Sequence, residues 1–459
     1  MMKEPERNLR ELCRQYQAVL LNEDQKTITV ALAGVPSAGM LEALHFTSQR
    51  RVQTERWPQA RLEQYLQSEG DDAEKAQEPI TLLVNHLLLQ AFQRRASDIH
   101  IEPCATGMRV RLRIDGVLQP LQNISETQQA ALIARLKILG NLDIAERRLP
   151  QDGQFTLQLQ GLQAAFRLST LPLRTGEKAV IRLLQSEAQD LALDKLGMPP
   201  DVLAQFRRAL AQPQGLILVT GPTGSGKTFT LYSGLHTLNQ PGRNVCSVED
   251  PVEIPLPGVN QTQINPRAGL DFQCVLRALL RQDPDIIMLG EIRDAESAGI
   301  AVKAAQTGHL VLSTLHTNST TETLTRLGQM GIPGYLLASA LRLVIAQRLV
   351  RRLCPHCRAP AETLHDLPEQ NRTGPLQTWQ AVGCDHCFSG YYGRLPLFEM
   401  LPINSELQTA IAGNASSETL SLLAQRQQLN SLFIEGLNAV NRGDTSLAEV
   451  YRVIGVGHG

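Results

Sequence analysis

No run of apolar residues in this chain approaches the ~18 that a membrane-spanning helix needs. The opening, Met1-Met2-Lys3-Glu4-Pro5, leads into a charged segment and not into the apolar core of a signal peptide. A protein made and kept in the cytoplasm is expected. Net charge is nearly absent, because 44 basic residues stand against 45 acidic ones for a formal charge of −1. No global field therefore gathers the chain onto nucleic acid or an anionic membrane, and any such contact must be local. Aromatic residues make up only 4% of the chain, so stacking platforms for single-stranded nucleic acid are poorly supplied and no direct nucleic-acid partner is expected. Repeats of fixed period and low-complexity tracts are also missing, which excludes a solenoid.

Cysteine is sparse outside one region. Cys13, Cys104, Cys246 and Cys274 are scattered and read as packed or partly exposed thiols of a reducing compartment. The other four form two C-x-x-C pairs, Cys354-Pro355-His356-Cys357 and Cys384-Asp385-His386-Cys387, with 26 residues between them. In a cytoplasmic chain this pattern points to a tetrathiolate Zn²⁺ site, because four thiolates complete a tetrahedron. His356 and His386 are then spectators, and a hairpin or helical insert is expected between the two knuckles.

The most specific motif is Gly221-Pro222-Thr223-Gly224-Ser225-Gly226-Lys227-Thr228, which matches G-x-x-x-x-G-K-[ST] in full after the apolar run Leu216-Ile217-Leu218-Val219. A triphosphate must be wrapped by backbone N–H groups, and glycines allow that close approach. Lys227 can then reach the β and γ phosphates of ATP, while Thr228 offers a hydroxyl to Mg²⁺. The strand before the loop and the helical pattern after it supply the context this reading needs.

Composition divides the chain into segments. Residues 1–67 read as a short N-terminal module with a helix through Leu62, Tyr65 and Leu66 near its end, and the acidic, polar residues 68–79 read as a linker. Ile80, Leu83, Val84, Leu87, Leu88, Ala91 and Phe92 then recur at helical spacing. Met108, Val110, Leu112 and Ile114 alternate with Arg109, Arg111 and Arg113, the pattern of a half-buried strand with three guanidiniums on one face. Residues 80–192 are expected to form an α+β domain. In 193–350 short apolar runs at Leu216–Val219, Val245–Val248, Ile286–Leu289 and Leu310–Leu315 alternate with helical stretches, which predicts a parallel sheet that binds ligands at its strands' carboxyl ends. A tetracysteine module at 351–398 and a helical C-terminal region at 399–459 complete the division.

Glu291 ends the apolar run Ile286-Ile287-Met288-Leu289-Gly290, where a hydrolytic site needs an acid to hold Mg²⁺ through water or to orient the attacking water. Asp283 and Asp285 are weaker candidates. Glu249 and Glu253 follow another strand, and either can polarise water from there. His309 and His316 bracket the run at 310–315, with His316 at its carboxyl end beside the nucleotide.

These linked motifs resemble those of the hexameric secretion ATPases of type II secretion and type IV pilus assembly, over about residues 80 to 400. Ser97-Asp98-Ile99-His100-Ile101-Glu102-Pro103, Arg109 to Gly116, Arg147 to Gly153 and Arg167 to Pro172 resemble the family's second N-terminal domain. The loop at 221–228, the acidic segment 249–253, the stretch Asp283 to Asp294 and the histidine segment Thr307 to Asn318 resemble its motor core. The resemblance implies a RecA-like P-loop NTPase core preceded by a PAS-like α+β domain, assembled as a homohexamer. It implies that Glu253 is the catalytic carboxylate, Glu291 the Walker B acid and His316 a γ-phosphate sensor. Arg167 and Arg182, assisted by Arg113, would reach the phosphates when the interdomain cleft closes. The implied partner is an inner-membrane platform protein, so that membrane association comes only through partners, at the cytoplasmic face of the inner membrane. The tetracysteine segment favours the assembly branch over retraction motors. Two departures stand out: the region before the linker is shorter than the family's usual docking module, and Asn318-Ser319 stand where an acidic residue often follows the histidine. A nucleic-acid translocase and an ATP-gated scaffold with negligible turnover are the alternative readings.

Overall fold

The computed structural model of the chain describes residues 80–159, 161–184, 190–364, 375–427 and 430–455, together with 18–24, 27–34, 36–48, 50–58 and the single positions 9, 12, 13, 16 and 62. The 68–79 linker and most of the helix expected through Leu62, Tyr65 and Leu66 lie outside these residues. Before the linker, β1 (Val19–Glu23), β2 (Thr27–Leu32) and β3 (Arg51–Arg56) make a three-stranded sheet. β2 and β3 run parallel, which requires a crossover, and helix Ala38–Ser48 supplies it. Ile28 and Val30 are fully buried against Met40 and Leu44 of that helix.

The next unit is an antiparallel sheet in the order β6-β5-β4-β9-β8-β7, formed by β4 (Ala96–Cys104), β5 (Gly107–Ile114), β6 (Val117–Ile124), β7 (Gln151–Leu159), β8 (Leu162–Leu173) and β9 (Gly176–Leu184). The alternation read on β5 is realised: Met108, Val110, Leu112 and Ile114 are buried. They pack with Val84 and Leu88 of the helix at 80–93 and with Leu132 and Leu136 of helix Glu126–Leu139. That helix is further tied to β9 by an ion pair between Lys137 and Glu177, 1% and 9% exposed, whose nitrogen also donates to the Glu146 carbonyl at 2.6 Å. Removing one partner of such a buried pair strands a charge and costs about 3–5 kcal/mol.

The third unit is a seven-stranded sheet in the order β12-β11-β13-β14-β10-β15-β18, from β10 (Gly215–Thr220), β11 (Val245–Glu249), β12 (Asn260–Gln263), β13 (Ile286–Leu289), β14 (Leu310–Leu315), β15 (Leu341–Leu353) and β18 (Tyr391–Pro402). All pairings are parallel except β15 with β18. Every residue of β10, β11, β13 and β14 is buried, because helices cover both faces of the sheet. Helices Pro200–Leu210 and Lys227–Leu238 lie on one face, and Phe272–Leu279, Ala295–Gln306 and Gly334–Ala340 on the other. This is the α/β class that the alternating pattern predicts.

β15 and β18 are long and run across residues 350 and 398, where composition changes. The cysteine segment between them is thus an excursion from the core sheet. It holds the antiparallel pair β16 (Ala359–Leu364) and β17 (Leu376–Gln380), the hairpin expected between the knuckles. The start of β18 touches residues flanking the six-stranded sheet: Gly393 N–H donates to Asp115 at 3.0 Å, and the Arg95 guanidinium lies 3.9 Å over the Tyr392 ring. Helices Ser405–Ala412, Ser417–Arg426, Leu432–Asn441 and Leu447–Ile454 follow, started by Asn404, Ser416, Ser431 and Ser446, whose side chains cap the exposed N–H groups. No helix among the described residues is long and apolar enough to cross a membrane.

Candidate nucleotide site and tetracysteine cluster

The glycine-rich loop joins the carboxyl end of β10 to helix Lys227–Leu238, so the helix's unpaired N–H groups and positive dipole end open onto the loop. Gly226 has φ +88°, and a Cβ there would stand 2.8 Å from Gln347 Nε2, so both conformation and space call for glycine. Lys227 is 8% exposed and donates to the carbonyls of Gly221 at 2.7 Å and Pro222 at 3.1 Å. Burial, opposed by Glu291 and reinforced by Arg348, lowers its pKa to about 8. Ser225 is buried, and Pro222, Thr223, Gly224 and Thr228 are exposed. The octet thus brings backbone, the Lys227 ammonium and the exposed hydroxyl residues Thr223 and Thr228 to the edge where a polyanion fits.

The same edge collects residues that are far apart in the chain. Glu291 follows β13 and His316 follows β14, and their side chains meet at 2.9 Å. Arg293 Nε donates to the other Glu291 oxygen at 2.6 Å and its guanidinium lies 3.8 Å from Asp250. Burial alone would raise the Glu291 pKa, but hydrogen bonds from Arg293 and His316 outweigh it and hold the carboxyl below its ordinary value. Thr220 pins the arrangement: its hydroxyl accepts from Thr317 N–H at 2.9 Å, binding the end of β14 to the start of the loop. A cleft of about 280 Å³ opens beside His316, lined also by Glu322, Thr325 and Arg326.

Other candidates separate by position. Asp283 and Asp285 precede β13, at the opposite edge, where Asp285 accepts from Asn244 N–H at 2.7 Å. His309 is likewise at the amino end of β14, 3.0 Å from the Ala304 carbonyl. Glu249 is buried, bonded to Ser247, Gln261 and Tyr232, and does not face solvent. Glu253 is exposed, so of the two glutamates of this segment it is the one able to meet water.

In the six-stranded sheet, register places Arg113, Asp98, Arg182 and Arg167 directly opposite one another on β5, β4, β9 and β8. Residues paired across neighbouring strands share a face, so three guanidiniums and one carboxylate form a row. Asp98 takes Arg182 Nε at 2.9 Å and stands 3.7 Å from Arg113, while Arg167 is 3.9 Å from Asp152. Arg109 and Arg111 leave the row and pair with Glu102. No hydrogen bond or ion pair among the described residues joins the row to residues 221–228.

The sulfurs of Cys354, Cys357, Cys384 and Cys387 all lie within 4.8 Å of one another, with Cys354–Cys384 at 3.8 Å and Cys357–Cys387 at 3.7 Å. A tetrahedron of ~2.3 Å zinc–sulfur bonds has edges of about 3.8 Å, so the donor set fits a tetrathiolate ion. The rings of His356 and His386 pack on each other with centroids 4.8 Å apart.

One site residue has no motif to announce it. Arg348, on β15 and 6% exposed, donates to the carbonyls of Gln347 and Asn318, with no carboxylate in its hydrogen bonds. A Cβ at Gly221 would lie 3.2 Å from one of its nitrogens. A charged residue inside the buried run Ile345-Ala346-Gln347-Arg348-Leu349-Val350 is the signal that points to it.

Comparison with known proteins finds relatives over most of the chain. The family described as "Type II/IV secretion system protein" matches residues 73–452. The chain is 55% identical over 453 residues to the "Protein transport protein HofB homolog" of Escherichia coli strain K12, covering 98% of each chain. It is 47% identical over 392 residues to the "Type IV pilus assembly ATPase PilB" of Pseudomonas aeruginosa, covering 84% of this chain and 68% of that one. Among solved structures, the Legionella pneumophila ATPase DotB superposes with a TM-score of 0.60 at 22% identity, over 81% of this chain and 95% of that one, a likeness of fold.

Proposed function

Because this chain belongs to the type II/IV secretion system protein family and is an ATP hydrolase, we propose that it is a motor for assembling a type IV pilus or a type II secretion pseudopilus. It works as a homohexamer at the cytoplasmic face of the inner membrane, held there by a platform protein and having no nucleic-acid partner. The relatives named as pilus assembly and type II secretion ATPases support this reading. The observation that carries it is the meeting of Lys227, Glu291 and His316 at one edge of the parallel sheet.

In this reading residues 221–228 wrap the triphosphate, and Thr228 would hold Mg²⁺, which would draw charge off the phosphates. Glu253 polarises the attacking water. Glu291, kept ionised by Arg293 and His316, would hold Mg²⁺ through water, and His316 senses the γ-phosphate at the end of β14. Arg167 and Arg182, with Arg113, come from a PAS-like domain at 80–192 and neutralise the phosphates when it closes on the core, so loss of the γ-phosphate lets the domains part. Cys354, Cys357, Cys384 and Cys387 would hold Zn²⁺, which would keep the excursion between β15 and β18 in shape.

The test is ATP turnover of the full chain, wild type beside Lys227→Ala and Glu253→Gln, with oligomeric mass recorded with and without ATP and Mg²⁺. A nucleotide-stabilised hexamer whose turnover is lost in both variants is the expected result. Turnover surviving both changes would sink the assigned roles, and turnover stimulated by DNA would replace the motor with a translocase.

A further inference from the structure

The Tyr232 ring is fully buried, on the same helix that begins with Lys227. Its hydroxyl lies between two positions of the acidic segment. It donates to Glu249 Oε2, and it accepts from the backbone N–H of Glu253 at 3.2 Å. The second Glu249 oxygen receives Ser247 Oγ at 2.6 Å and Gln261 Nε2 at 3.1 Å. Gln261 also donates to the Ile254 carbonyl at 3.1 Å and accepts from Leu256 N–H at 2.6 Å. The stretch from Glu253 to Leu256 is thus hung on a buried polar network whose point of attachment to the phosphate-binding helix is one phenol.

We propose that Tyr232 is a positioning residue for ATP hydrolysis, fixing the backbone of Glu253 relative to the phosphate loop; this rests on the reading of Glu253 as the acid that polarises water. The geometry separates this role from plain packing. A buried ring needs one partner for its hydroxyl, and Glu249 alone would supply it. The second bond reaches the main chain of the very residue whose carboxylate must be aimed, within a segment that otherwise leaves the Glu253 side chain exposed. Burial, together with the hydrogen bond to Glu249, pushes the phenol above its ordinary titration range, so the hydroxyl keeps the proton that orders the network. One rigid helix therefore carries both the ammonium that meets the phosphates and the hydroxyl that sets the acid, and a displacement of either changes their separation.

Tyr232→Phe keeps the ring and removes the two bonds. On the full chain, ATP affinity is measured with a fluorescent analogue, and single-turnover hydrolysis is measured for wild type, Tyr232→Phe, Glu253→Gln and the double variant. Tyr232→Phe is expected to slow hydrolysis about ten- to a hundredfold, the scale of a misplaced catalytic group, while affinity stays within about twofold. In the Glu253→Gln background the same change should add less than about twofold, because the group it aims is gone. Full multiplication of the two effects, an undiminished rate in Tyr232→Phe, or equal losses of affinity and rate would each overturn the proposal. Normal hydrolysis by Glu253→Gln alone would remove the acid assignment itself, a different failure read from a different variant.

Discussion

Asp98 and Arg182 stand opposite each other on β4 and β9, and their side chains meet at 2.9 Å in the middle of the arginine row. The carboxylate is buried and the guanidinium is 59% exposed, so the acid serves as a fixed post from which the arginine projects.

If the row meets the phosphates on domain closure, Arg182→Ala should lower turnover by at least about a hundredfold, toward the range of a lost arginine finger. Stability should fall by about 1–3 kcal/mol, because the buried Asp98 carboxylate loses its nearer arginine and keeps only Arg113, at 3.7 Å. Turnover and urea unfolding of the same preparation check both halves. Loss of turnover that tracks loss of folded protein would deny the arginine a role at the phosphates.

Lys227 titrates at about 8 in the free site, because burial and the neighbouring Arg348 disfavour its charge. A triphosphate favours the charged form and raises that pKa, so binding takes up a proton wherever free Lys227 is partly neutral. Affinity should be constant below the free pKa and fall as pH rises through it. Calorimetry at about pH 8.5 in buffers of different ionisation enthalpy should show fractional proton uptake, and at about pH 6.5 uptake from this group should vanish. A buffer-independent enthalpy at the higher pH would show that Lys227 is already fully charged in the free site and that burial does not lower its pKa.

The sulfur cluster is expected to hold about one Zn²⁺ per chain, and Cys384→Ser to reduce that content sharply, as elemental analysis would read. The thermal midpoint should fall with it. ATP affinity should persist, since β15 and β18 pair directly and do not need the excursion to stay in register. Unchanged zinc in Cys384→Ser would dismiss the tetrathiolate assignment.

How much of this was legible beforehand differs from residue to residue. The octet at 221–228 and the two C-x-x-C pairs are local patterns, and the mainly apolar runs announce buried strands because each is short and bounded by helical stretches. Glu291 and His316 were legible as strand-end residues. Their contact was not, because it depends on β13 lying beside β14 in the sheet order. Glu249 and Glu253 were equivalent on paper; burial of one by Tyr232, Ser247 and Gln261 distinguishes them. Arg348 and Tyr232 belong to no motif, and both matter through what packs against them.

By itself, then, the sequence determined the chemistry available and the elements that carry it: a phosphate loop, strand-end acids, alternating arginines and four thiols at ligand spacing. Periodicity and spacing are properties of neighbours in the chain, and local backbone geometry converts them directly into structure. Tertiary structure alone decided which of those groups share an edge, which carboxylate is withdrawn into the core, and which arginines stand in one row. Those outcomes depend on strand order and register among segments up to more than a hundred residues apart, and no local pattern encodes such pairings.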